Sequence, residues 1–150
     1  MCAITDGLSL APERVLVIPC SGIGKAMGTI SREATYSVVE DLRPEVADTL
    51  CLSLLVMGDE AAHARVQRVP CVTIDGCTSE CARKNVELAG GTVAERVQVM
   101  EVLKRHRGLK PKTVSELDED GWELAGFVAE EAARAVDRTI ASVARKEVAK

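Results

Sequence analysis

Residues 69–84 read "VPCVTIDGCTSECARK", and the fold turns on how this stretch is parsed. "CVTI" (71–74) is a short β-branched run of the kind that forms a buried strand. It stops at Asp75-Gly76, a pair that breaks a strand and starts a turn. The segment that follows, 78–91, has helical character and closes on Gly90-Gly91. Thr78 or Ser79 is the expected N-cap, so the helix should begin as soon as the turn is made. On that reading Cys77 and Cys81, four apart, both face the first turn of the helix, where free N–H groups favour thiolate over thiol.

The same grammar recurs on either side. "RVLVIP" (14–19) is a second buried-strand candidate and runs into a glycine-rich turn, "CSGIGK" (20–25). In "GTISREATYSVVEDL" (28–42), Ile30, Ala34, Val38 and Leu42 recur every four residues, which predicts one apolar helix face, and Pro44 stops it. "TLCLSLLVMG" (49–58) reads equally as a strand or as an apolar helical turn. "DEAAHARVQRV" (59–69) predicts a helix capped by Asp59 with Glu60 in its first turn. A further strand is expected around Val97–Val102, followed by a polar connection, "HRGLKPKTVSELDEDG" (106–121).

A long helix is expected from Trp122 to about Glu147. Trp122, Ala125, Ala129, Ala132, Val136, Ile140 and Val143 form its apolar stripe. That stripe either packs on the sheet or forms a seam for a second copy or another partner, because its spacing is also that of a coiled coil. Strands alternating with helices predict an α/β fold: a small, mostly parallel sheet flanked by helices in the Rossmann-like manner, with a long C-terminal helix. The 150 residues read as one domain, with 1–13 as a flexible lead-in and 121–147 as the final helix.

Composition narrows the function. A net charge of −4 and a single Trp, Tyr and Phe give neither the basic surface nor the stacking platform that nucleic acid needs. No apolar run approaches the ~20 residues of a membrane span, and the start of the chain carries no export signal. A cytoplasmic location is therefore expected, and there six cysteines favour metal ligation or thiol chemistry over disulfides.

Ligand sites in parallel α/β sheets form beyond the carboxyl ends of the strands. Cys20 follows the first strand, and Cys77 and Cys81 follow the later one. His63 lies in a predicted helix and His106 in the basic run "KRHRG", so a zinc site would draw mainly on Cys20, Cys51, Cys77 and Cys81. Asp75 is expected to accept backbone N–H groups across the turn, or else to orient a ligand, and Gly76 to permit a sharp bend.

Gly22, Gly24 and Gly28 miss the dinucleotide fingerprint by one place, and Lys25-Ala26 misses the P-loop. The turn of Ser21, Gly22, Gly24 and Lys25 is still a candidate for holding a small anion, and Lys25 for lowering the pKa of Cys20. The same thiols would also serve an iron–sulfur cluster, a redox pair or a sulfur carrier.

"IDGCTSECARK" (74–84), with "PCSGIGKAMGTISREA" (19–34) and "DTLCLSLLVMGDE" (48–60), resembles the DGC-domain family, small proteins named for the Asp-Gly-Cys motif. The resemblance runs from about Val15 to Gly91 and is most specific at Asp75-Gly76-Cys77 followed by Cys81. It implies zinc bound by four cysteines, which on this chain are Cys20, Cys51, Cys77 and Cys81. It transfers no defined activity. Cys71, inside a strand, and Cys2, near the terminus, stand outside the pattern.

Overall fold

In a computed structural model, residues 14–22 and 24–149 are described. The expected lead-in over 1–13, Cys2 included, lies outside them. Four strands form one parallel sheet: β1 (Val15–Pro19), β2 (Ala47–Asp48), β3 (Cys71–Asp75) and β4 (Val93–Gln98). Their spatial order is β2-β1-β3-β4. The direction of winding therefore reverses beside β1, between its neighbours β2 and β3, and the carboxyl ends there frame the crevice where such sheets take ligands.

Both central strands are buried on both faces, as parallel strands between helical layers must be. Val15 and Val17 of β1, with Val72 and Ile74 of β3, point to one layer. That layer contains α1 (Ala26–Tyr36), α5 (Val99–Arg105) and α6 (Glu119–Val148). Leu16 and Ile18 of β1, with Cys71 of β3, point to the other. There they meet α2 (Leu52–Val56), α3 (Glu60–Arg68) and α4 (Cys81–Leu88).

The helix expected over 28–42 is present, but after Tyr36 it widens into a π-helical turn, Ser37–Leu42. The N–H of Arg43 closes that turn on the Val38 carbonyl at 2.7 Å. Arg43 then makes a two-pronged ion pair with Asp137 of α6, each contact 2.7 Å. α3 starts as expected, the Asp59 carboxylate accepting from Ala62 N at 2.8 Å. "TLCLSLLVMG" resolves as helix: Cys51 is the N-cap of the short α2, and the two-residue β2 precedes it.

Three expectations are corrected. The last strand is Val93–Gln98, not Val97–Val102: β4 is a sheet edge whose first four residues alternate between half-buried and exposed before the buried Val97, so its charged Glu95 and Arg96 hide it from an apolar count. Val99 and Val102 are buried three apart on helix α5 instead. In α6 the buried stripe includes Leu124, Val128 and Ala135, whereas Trp122 is 52 % and Val143 38 % exposed. The stripe packs on α1 and the sheet and is centred on its alanines, which let a 30-residue helix lie close to its neighbours. The third correction concerns the start of α4 and belongs to the site. Among the described residues no helix is long and apolar enough to cross a membrane.

Candidate functional site

Cys20 begins the loop after β1, and its position is fixed by sheet pairing. Its N–H continues the β1–β3 ladder to the Ile74 carbonyl at 2.9 Å. Its sulfur accepts from the N–H of Gly76 at 3.3 Å, so the Asp-Gly-Cys turn is tied directly to Cys20. The sulfur is also 3.7 Å from the Ser31 hydroxyl. Only 7 % of Cys20 is exposed. Burial pushes its thiol pKa up, against the Gly76 and Ser31 hydrogen bonds, and the nearby Asp75 and Cys77 add to the rise.

α4 begins at Cys81, not at Thr78. Its first turn is capped from a distance: Asp75, at the end of β3, accepts from Ala82 N at 2.7 Å and Arg83 N at 3.2 Å. A carboxylate already aimed at those N–H groups leaves no cap role for Thr78 or Ser79. Asp75 is 97 % buried, which raises its pKa, while the two N–H groups pull it back. Asp75 thus accepts backbone N–H groups across the turn. Cys77 and Cys81 do not share a helical turn, because Cys77 precedes the helix by a full loop.

Glu80, the last loop residue, sits in the left-handed region at φ 52°. Its carboxylate holds it there, accepting from Arg83 at 2.7 Å, Gln98 at 2.8 Å and Arg96 at 3.1 Å. Cys77 is half-buried. The Ser79 backbone N–H and then its side chain hold the Cys77 thiol below its ordinary pKa, and the Lys25 ammonium contributes a smaller effect. Lys25 is thus one of the groups that lower the Cys77 pKa.

Gly22 and Gly28 have a packing reason: a Cβ on Gly28 would lie 2.3 Å from the Gly22 Cα, so the turn and the first residues of α1 touch backbone to backbone. Gly76 is likewise kept small by space, since a Cβ there would meet Met27 at 3.0 Å. It does not take a positive φ. Ser21 offers its carbonyl to Arg32. Lys25 is the N-cap of α1 and makes no side-chain cap bond.

Cys51 is exposed, 2.9 Å from the Ser53 hydroxyl, which holds its pKa below the ordinary value. Cys81 is exposed too. Cys71 is core: fully buried, with its thiol pushed up to about 12. His63 bonds the Leu55 carbonyl at 2.9 Å, and His106 stacks on Phe127 at 3.9 Å, so both imidazoles are engaged away from these thiols.

The structure thus brings Cys20, Asp75, Gly76 and Cys77 together, while Cys51 and Cys81 are exposed. A family model, that of the DGC domain, matches residues 16–120. The chain belongs to the DGC-domain family. The match reaches 29 residues past Gly91 (120 − 91), beyond the recognised motifs and up to the start of α6. No curated protein and no solved structure matches this DGC-domain chain.

The four thiols are a chemically suitable set for zinc, whose structural sites take thiolate ligands. Their placement is only partly suitable: among the described residues no three His, Cys, Asp or Glu side chains stand together as a ligand cluster. Cys20 and Cys77 are neighbours, while Cys51 and Cys81 point to solvent.

Proposed function

We propose that this DGC-domain protein binds zinc through cysteine thiolates at the carboxyl edge of its sheet, with Cys20, Cys51, Cys77 and Cys81 as the ligand pool. The observation that carries the reading is topological. β2, β1 and β3 are adjacent, and each is followed within three residues by a cysteine, so Cys51, Cys20 and Cys77 line one edge in that order. Thiolates are soft ligands that suit zinc. Closing the site requires Cys51 and Cys81 to turn inward; both are exposed, and Cys51 is held by Ser53 and the Leu54 backbone. Bound there, the ion would tie three loops together, and with water in place of one cysteine it would also offer Lewis acidity at the sheet edge.

The test is elemental mass spectrometry on protein purified without oxygen, with a visible absorption spectrum of the same sample. About one zinc per chain is expected. Cys20→Ser and Cys77→Ser should lower it, while Cys71→Ser should leave it unchanged. A protein with only trace metal would overturn the reading. Iron with a visible band would replace zinc by a cluster.

A second reading rests on a different observation, the half-buried Cys77 with its lowered pKa, next to Cys20 and Lys25. A thiol so placed suits disulfide exchange or persulfide carriage without a metal. Mass spectrometry of fresh protein would then find a disulfide or persulfide at Cys77.

A further inference from the structure

Next to Cys20, a cleft of about 300 Å³ opens between the end of β1 and the start of α2; Cys77 is not among its lining residues. That is the lower end of the ~300–1,000 Å³ typical of small-ligand pockets. Leu50 and Leu52 supply apolar wall, Cys20 and Cys51 also line it, and Arg32 of α1 supplies a positive charge. Arg32 is half-buried. Its guanidinium is steadied by the Ser21 carbonyl and by the Thr29 hydroxyl, the latter at 3.2 Å.

Neither partner is charged, and among the described residues no carboxylate lies within ion-pair distance of Arg32. A half-buried cation held by neutral acceptors, with donors to spare, in the wall of an apolar cleft is incomplete on its own. A planar carboxylate completes it, because the guanidinium fork matches both oxygens at once.

We infer that this cleft is the binding site for a small organic carboxylate with an apolar body: its anion pairs with Arg32 and its body lies on Leu50 and Leu52, beside Cys51. The assignment does not depend on what the thiols hold. It goes beyond the metal reading, since it concerns a molecule delivered to the edge of the thiolate site. The Ser21 and Thr29 bonds set the guanidinium before the ligand arrives, which lowers the cost of ordering it on binding.

Benzoate is the probe, with benzamide as its neutral twin of the same shape. Ligand-observed NMR on the full chain as purified should show benzoate binding about tenfold more tightly than benzamide, the effect of one charge-assisted pair. Arg32→Gln should remove that preference, and Arg32→Lys should restore part of it.

Equal binding of the two probes to the natural protein would overturn the inference, and so would a benzoate affinity unchanged in Arg32→Gln. The comparison of benzoate with benzamide needs no variant, so it decides the matter even if Arg32→Gln does not fold. Metal content is read separately, so loss of this site and loss of the zinc reading are distinguishable.

Discussion

Cys77, Cys20 and Cys71 are the same chemical group in three environments, and their protonation differs for reasons visible around each sulfur. Cys77 meets the N–H and side chain of Ser79 and the Lys25 charge, Cys20 is buried against Gly76, and Cys71 lies inside the sheet with no compensating donor. A lowered pKa means thiolate at lower pH. The rate of alkylation at Cys77 should therefore rise to half its maximum below the pH at which free cysteine does, while that of Cys20 should lag above it. Ser79→Ala should move the Cys77 midpoint upward only in part, because the backbone N–H stays; peptide mass spectrometry across a pH series reads this. Asp75 shows how one carboxylate can join two elements, ending β3 and capping α4 through Ala82 and Arg83. Asp75→Ala should cost about 2 kcal/mol in urea unfolding, the sum of a lost cap and unpaired N–H groups. Cys71→Ser should destabilise without altering metal content, since it puts a hydroxyl into the core.

At the scale of elements, the sequence was readable where local signals and packing agree. The Asp59 cap, the strand read at 71–74 and the glycine-rich turn after Pro19 could all be placed from residue pattern alone. The start of α4 could not, because its cap comes from Asp75, seven positions before Ala82, and local Thr and Ser masked it. β4 was hidden for another reason: an edge strand tolerates charge, so Glu95 and Arg96 sit in it without breaking it. In the candidate site, the expectation of one parallel sheet placed Cys20 and Cys77 at one edge, but which thiols meet depends on loop conformation that spacing does not encode. Arg32 was beyond reach, since a helix residue lining a cleft has no sequence signature. Two variants probe the loops. Gly28→Ala forces its Cβ onto the Gly22 backbone and should cost at least ~2 kcal/mol by thermal melt. Glu80→Gly should be milder than Glu80→Ala, because both lose the Arg83, Arg96 and Gln98 contacts while only Gly relieves the positive φ. Hydrogen exchange at residues 77–81 should quicken more in the alanine variant.

Across the whole molecule, α6 is the keel: it packs on α1 and the sheet and is tied outward through Arg43–Asp137 and Arg138–Glu95. Leu124→Ala, at a fully buried position, should cost ~2–5 kcal/mol by urea denaturation. The single Trp122 is half exposed on the same helix, so its fluorescence in the native protein should be quenched readily by acrylamide. The parallel sheet has a further consequence. No two of its strands can be joined by a hairpin, and the contact between Gly76 and the Cys20 sulfur spans 56 positions of chain. A loop of that length must close before the β1–β3 pairing is rewarded, and such non-local pairing makes parallel sheets slow to form. The thiols therefore come together in the same late step that builds the core, and a nascent chain that has not yet produced β3 carries Cys20 and Cys51 as separate, reactive groups. Metal acquisition or oxidation during synthesis would meet a different molecule from the folded one.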